Sequence, residues 1–425
     1  MSDPTAPPGA WPPVHAAARR LLSPIQRFLA IEAASGLVLI AATAVALGWA
    51  NSPWSASYHG LWHTELAVAL ADWRFARPLE FWVNDGAMTL FFFVVGLEIR
   101  RELHEGDLRE LRRAALPLVA AIGGMLIPAA IYLAFNTGRA GAAGWGVPMA
   151  TDIAFAVGVL ALLGRRVAPA LRVLLLALAV IDDIGAILVI AVFYSAGSAG
   201  ISLGGLALAG GGVAAIAALQ LAGARSPALY VIPSLVIWSG LYAAGIHPTL
   251  AGVIVGLLTP VRRWLRSDDD REPRSPAAQL QHALHRWVAF VVMPVFALAN
   301  AGVTLGGASV SGDAAFVFLG IVAGLALGKP IGVVVACRLA LRAGIAVRPT
   351  GVAGSGLAVV GVVAGIGFTM ALFIAALAFP PGPLLETAKL AILVGSVVAA
   401  AAGLALGRAS SGAQRALDVG HEHVE

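Results

Sequence analysis

VLLLALAVIDDIGAILVIAVFYS, residues 173–195, is an apolar run of membrane-spanning length with two adjacent aspartates, Asp182 and Asp183, near its midpoint. A helix rises about 1.5 Å per residue, so both carboxylates lie about 15 Å from either end, in the middle of a hydrocarbon core about 30 Å thick. One carboxylate at that depth is costly, and two neighbours also repel each other. Folding alone does not favour this placement, and a buried pair that is merely satisfied by its neighbours is the weaker explanation. The default reading of intramembrane acids is an ion or proton path.

The rest of the chain agrees with a membrane setting. Of 425 residues, 59% are hydrophobic and 12% charged, with a mean hydropathy of +0.86, which excludes an ordinary soluble domain. The apolar runs are long and continuous, so helices are expected rather than the alternating strands of a membrane barrel. The single cysteine, Cys337, rules out an internal disulfide and offers no metal cluster. Lys329 and Lys389 are the only lysines, and Lys329 lies inside the apolar run 314–337.

Hydropathy predicts twelve spans, at about 30–50, 81–99, 115–135, 145–164, 173–195, 201–223, 227–241, 245–259, 283–302, 314–337, 353–379 and 385–407. Those at 227–241 and 245–259 are short enough to be half-spans, but keeping both as helices puts 23 arginines on one side and only Arg74, Arg77 and Arg139 on the other. The positive-inside rule assigns the rich side, with both termini, to the cytoplasm. Orientation thus accounts for the net charge of +5 and pI of 9.9, and nucleic acid is not an expected partner. The expected organisation is a cytoplasmic tail over 1–27 without signal-peptide features, a twelve-helix body over 28–407, and a cytoplasmic tail over 408–425. The body includes a long external loop at about 51–80, whose segment 63–75 suits a small hairpin, and a solvated cytoplasmic loop at about 260–280.

Two spans are predicted to be broken. The fourth contains Gly146, Pro148, Thr151 and Asp152 in GWGVPMATDIAF, and the eleventh contains Gly365 and Gly367 in GVVAGIGFTM. Glycines also serve close helix packing. Both interruptions, however, fall at mid-membrane in spans of opposite direction, the pattern of a transporter site in an inverted repeat.

Asp152, Asp182, Asp183 and Lys329 therefore converge on mid-membrane depth. Neighbouring helical residues point about 100° apart, so one aspartate can pair with Lys329 while the other faces a water-filled cavity. An acid near half-helix N-termini and a base near C-termini are stabilising, and Asp152 and Lys329 are candidates for these roles. Na⁺ or Li⁺ suits one or two carboxylates supplemented by the Thr151 hydroxyl and unwound carbonyls, whereas no His/Cys set with zinc or copper spacing accompanies the acids. Burial and repulsion favour the neutral carboxyl form, so protons and cations compete for the same oxygens. At a site that opens alternately to each side, that competition is antiport, and no cofactor is needed. An intramembrane aspartyl protease also uses two acids, but its GxGD signature is absent and Lys329 has no place in an aspartate dyad. A passive cation channel suits the carboxylates but leaves the paired breaks unexplained.

NDGAMTLFFFVVGLEIRREL at 84–103, ATDIAFAVGVLALLG at 150–164, IDDIGAI at 181–187, GIHPTLAGVIVG at 245–256, FALANAGV at 296–303, GKPIG at 328–332 and GIGFTM at 365–370 closely resemble the NhaA-type bacterial sodium/proton antiporters, in order and spacing. The resemblance covers residues 28–407. It implies an all-α integral membrane fold of twelve helices with inverted-topology repeats, in which the discontinuous spans four and eleven cross. It also implies electrogenic exchange of Na⁺ or Li⁺ against protons across the bacterial inner membrane, which regulates internal pH and sodium. Asp183 would be the principal cation ligand, and Asp182 its partner and proton carrier, paired with Lys329 in one state. Asp152 and Thr151 would line the crossing. Asp85 and Glu98 match acids near a cytoplasmic funnel, His247 matches a histidine linked to pH response, and a homodimer joined partly by the external hairpin is implied. The sequence departs from the family at the start of span nine, where AAQLQHALHRW has Ala278, Gln279 and Gln281 at positions that can carry a charged pH-sensing cluster. His282 and His285 remain as candidates there, and a pH dependence unlike the family norm is expected.

Overall fold

Long apolar runs become helices because a helix satisfies its backbone N–H and C=O groups within its own segment, without water. The structure, a computed structural model, describes residues 34–422 apart from 71–72, 106–110, 165–166, 196–199, 225, 262–274, 305, 307–310 and 349–353; the side chains of 70, 73, 105, 111–113 and 410–422 are also outside it. The expected tail 1–27, with Arg19, Arg20 and Arg27, therefore lies outside the described residues, as do Arg109, Arg165, Arg166, Arg225 and the core of the 260–280 loop.

Helix α1 (Ala34–Ala50) turns through 113° into the short α2 (Ser55–His63). A two-stranded antiparallel hairpin follows, β1 (Glu65–Leu70) with β2 (Trp73–Pro78), Glu65 opposite Pro78 and Leu70 opposite Trp73. This is the hairpin expected within 63–75, extended to Pro78. The remaining single helices are α3 (Leu79–His104), α4 (Leu111–Asn136), α6 (Pro169–Tyr194), α7 (Leu203–Leu221), α8 (Pro227–Ala244), α9 (Leu250–Leu258), α10 (Pro276–Asn300), α11 (Asp313–Arg342) and α14 (Pro383–Ala409). Two further segments are interrupted: a 3-10 stretch, Ala140–Met149, leads at 47° into α5 (Ile153–Leu163), and α12 (Gly354–Ala364) leads at 45° into α13 (Phe368–Ala378). Among the described residues eight helices are long and apolar enough to cross a membrane, or eleven if each bent pair counts once. The result is an all-α, multi-pass membrane fold with bent and discontinuous helices and a small hairpin outside it.

The stretch expected at 245–259 gives the nine-residue α9, which at the helical rise covers only about 14 Å. It is separated from α8 by Gly245 in the left-handed conformation at φ +76°, the usual way for a helix to end. Within α7, Leu206 and Leu208 stand 38% and 47% exposed, an apolar outer face of the kind a membrane helix carries.

Two local features place the site. Residues 324–328 form a π turn immediately before Lys329, a device that re-aims a helix and recurs at functional positions. Behind it α4 and α11 meet backbone to backbone: a Cβ on Gly332 would stand 2.1 Å from the Gly123 carbonyl oxygen, so only glycine lets the helices approach this closely. The Lys329 methylenes then lie over Gly124, 3.7 Å from where its Cβ would be, and the side chain runs inward instead of reaching for an interface.

Candidate functional site

The two interruptions are in contact. Asp152 donates its backbone N–H to the Ile366 carbonyl at 2.7 Å, and the Thr151 hydroxyl lies 2.9 Å from the Ala364 carbonyl. A helix end leaves unpaired amides at its start and unpaired carbonyls at its finish, which are expensive in an apolar interior. The breaks answer each other's needs. One Asp152 oxygen accepts the Phe155 N–H of α5 at 3.0 Å, while the other accepts the Thr369 N–H of α13 at 3.0 Å and the Thr369 hydroxyl. Asp152 thus caps both downstream half-helices, where the helix dipole favours a negative charge. The Lys329 ammonium donates to the Met149 carbonyl at the end of the 3-10 stretch, placing positive charge where unpaired carbonyls collect.

Lys329 also ties this junction to α6. Its Nζ lies 2.7 Å from Asp182 Oδ2, and both side chains are completely buried. Thr151 reaches the same Asp182 oxygen at 2.7 Å. A threonine hydroxyl has one proton, so with Asp182 ionised Thr151 can donate either to Asp182 or to the Ala364 carbonyl, but not to both. If Asp182 carries a proton, it can donate to Thr151, which then donates to Ala364. The hydrogen bonding of the second break is therefore linked to the proton on Asp182.

Two sets of oxygens remain. Asp182 Oδ1 is buried without a hydrogen-bond partner. Asp183, 3% exposed, makes no hydrogen bond or ion pair among the described residues. Charges of Glu98, Asp182, Asp152 and Lys329 act on it. Among the described residues no group of three or more His, Cys, Asp or Glu is placed to hold a metal ion, so chelation by a dense cluster is not what these oxygens offer. They offer a hard, sparse oxygen site beside a locked ion pair, suited to a small monovalent cation or to protons.

A family model described as Na+/H+ antiporter 1 matches residues 26–406. The chain belongs to this family. It is 53% identical to the Na(+)/H(+) antiporter NhaA 2 of Sorangium cellulosum (strain So ce56), covering 95% of this chain and 93% of that protein. It is 51% identical to the NhaA 2 antiporter of Myxococcus xanthus (strain DK1622), covering 97% and 96%, and 51% identical to the NhaA antiporter of Acidovorax sp. (strain JS42), covering 92% and 93%.

In this member of the antiporter family the residues grouped from the resemblance as a cytoplasmic funnel are not together. Asp85 lies in the π turn 82–87 at the hairpin end of α3, whereas Glu98 is thirteen residues on, about 20 Å along the helix. α3 starts at the hairpin with Asp85 near its start, so the two acids lie at different depths of one helix. His247 joins it there, with Nε2 3.3 Å from Asp85 Oδ1 but without hydrogen-bond alignment. Beside them Asn84 and Asn300 exchange amide hydrogen bonds of 3.2 and 2.8 Å. The buried Phe373 ring packs 5.4 Å from His247 and 5.2 Å from Phe92. His282, exposed, and His285, half-buried, sit in the first turns of α10, at the opposite end of that helix from Asn300. Gln281, at a position read as uncharged, is buried with its Oε1 unpartnered. An apolar cleft of about 900 Å³ between α3, α7, α8, α9 and α10 contains none of Asp152, Asp182, Asp183 or Lys329.

Gly365 and Gly367 lie at the second break, and neither has a positive φ. Gly365 is required for space, since a Cβ would stand 2.4 Å from the Leu325 carbonyl oxygen. Thr369 and Ser396, which hold the start of α13, were not singled out from sequence. Thr369 had a usable signal, a hydroxyl just after paired glycines where a half-helix begins; Ser396 is an isolated serine in an apolar helix and had none.

Proposed function

We propose that this secondary active transporter of the Na⁺/H⁺ antiporter family exports Na⁺ or Li⁺ from the cytoplasm in exchange for protons, which compete with the cation for Asp183 and Asp182. The observation that carries the reading is the contrast at the site: Asp182 Oδ2 is held by Lys329 and Thr151, while Asp182 Oδ1 and the Asp183 carboxylate are left open among the described residues. Asp183 is the principal cation ligand. Asp182 is the proton carrier, with Lys329 as its counter-charge. A cation on Asp183 and Asp182 Oδ1 draws Asp182 charge away from Lys329, and a proton on Asp182 frees Thr151 to serve the Ala364 carbonyl. Asp152 keeps the two broken segments in register through both states.

The accompanying architecture is twelve crossings with inverted repeats, α9 being a short one, and the segments broken at 150–152 and 365–367 crossing as spans four and eleven. Both termini lie in the cytoplasm, on the arginine-rich side. The exposed hairpin residues Leu66 and Val68 fit a homodimer contact. If both aspartates release protons per cation bound, each cycle moves net charge, and each charge is worth about 2.3 kcal/mol per 100 mV.

The test is exchange in proteoliposomes with Asp183→Asn. Sodium-driven proton efflux is expected to vanish, with the protein still accumulating in the membrane. Efflux persisting near the parent level sinks the assignment.

A further inference from the structure

Helix α13 begins without a cap of its own. Its N-cap is Gly367, whose lack of a side chain leaves the first-turn amides to be satisfied from elsewhere. The Thr369 N–H goes to Asp152, as described. The Phe368 N–H goes to a different helix: Ser396 of α14 accepts it at 3.1 Å. Phe368 and Ser396 are 2% and 3% exposed, so water does not offer an alternative.

The two borrowed caps differ in kind. Asp152 belongs to the other broken segment and carries charge within the ion site. Ser396 is on the unbroken α14, whose face runs along the break: a Cβ on Gly365 would stand 3.4 Å from Ala399 Cβ, one turn beyond Ser396. A mid-helix serine usually turns its hydroxyl to a carbonyl of its own preceding turn. Here its oxygen is committed to a neighbouring helix start.

We infer that Ser396 is a positioning residue of the ion site. It fixes where α13 begins, and so where Thr369 presents its N–H and hydroxyl to Asp152. With the acceptor removed, the buried Phe368 N–H is unsatisfied and α13 shifts or frays in its first turn. Asp152 then loses its second helix, and the junction that holds Thr151 and Lys329 against Asp182 loosens. The inference rests on the antiport reading above and adds a residue to it that is not at the ion.

The test compares Ser396→Ala with Ser396→Thr, which keeps the hydroxyl, and with Thr387→Val, which alters another buried hydroxyl on α14 that has no hydrogen-bond partner. Two midpoints are read for each: the Na⁺ concentration that half-saturates thermal stabilisation of the purified protein, and the Na⁺ concentration for half-maximal exchange in proteoliposomes. Ser396→Ala is expected to weaken both roughly tenfold, as loss of one buried hydrogen bond predicts. Ser396→Thr is expected to stay within about twofold of the parent, since it keeps the acceptor. Thr387→Val should match the parent. If Ser396→Ala does not accumulate, Ser396→Cys, with a weak sulfur acceptor, takes its place with the same expectation. Parent-like midpoints for Ser396→Ala overturn the inference, as does a Ser396→Thr as weak as Ser396→Ala, or a Thr387→Val that weakens equally. If instead parent and Asp183→Asn respond alike to Na⁺, it is the reading of the ion site that fails.

Discussion

The two breaks solve the same problem with different material. At 150–152 the chain supplies Thr151 and Asp152, a hydroxyl and a carboxylate; at 365–367 it supplies Gly, Ile and Gly, with no polar side chain at all. The first break brings charge, and the second brings space. Asp152 caps its own half-helix at Phe155 and also the opposite one at Thr369, so one carboxylate stabilises both interruptions. Gly365 lets the second break sit against the Leu325 carbonyl, close enough for that to happen. The difference teaches that a discontinuous helix in an apolar interior need not carry its own caps if a neighbour can lend them.

The largest expected effect in this comparison is on removal of the lender. Asp152→Ala leaves the Phe155 and Thr369 amides without their acceptor and should cost about 2–4 kcal/mol, two capping interactions' worth. The measurement is thermal unfolding in detergent, with Asp152→Asn, which keeps an oxygen acceptor, recovering about half. A loss below about 1 kcal/mol would mean that the breaks do not depend on one another.

On the other side, Gly365→Ala puts a Cβ 2.4 Å from the Leu325 carbonyl oxygen, a backbone atom that cannot rotate away. Overpacking of this kind costs about 1–3 kcal/mol. Gly367→Ala should cost less, because its nearest neighbours are at 3.0 and 3.1 Å and the first is a flexible leucine methyl. Equal melting losses for the two variants would indicate that chain flexibility, not space, is what glycine supplies. The smallest effect is expected for Thr151→Val, about 1 kcal/mol for the hydrogen bonds of one hydroxyl, with Thr151→Ser losing less. If serine loses as much as expected of valine while valine matches the parent, the threonine methyl group is what matters, and the link from Asp182 to the second break is absent.

Much of this was legible in the sequence for local reasons. The apolar runs showed the helices, and Asp182, Asp183 and Lys329 stood out because a charge in such a run is conspicuous. The interruption at 150–152 was readable from Pro148 and the adjoining polar pair. The hairpin signal was weaker, and the observed strands run three residues past the expected segment. Asp85 and Glu98, which the resemblance groups together, sit in opposite halves of α3. Counting residues from the hairpin would have separated them. Ser396 was not readable at all, since nothing in ILVGSVVAA indicates a helix start nearby.

By itself the sequence determined that the chain lies in a membrane, that Asp152, Asp182, Asp183 and Lys329 are buried and where two helices are interrupted, because hydropathy and helix-breaking chemistry are properties of each segment alone. Only the tertiary structure decided the partners: that Lys329 meets Asp182 and the Met149 carbonyl, that Asp152 caps a helix 217 residues away, and that His247 faces Asp85. Those choices depend on the depth and rotation of each helix against its neighbours. Contacts such as Gly123 against Gly332 set these, and no local pattern in either helix specifies which other helix it will meet.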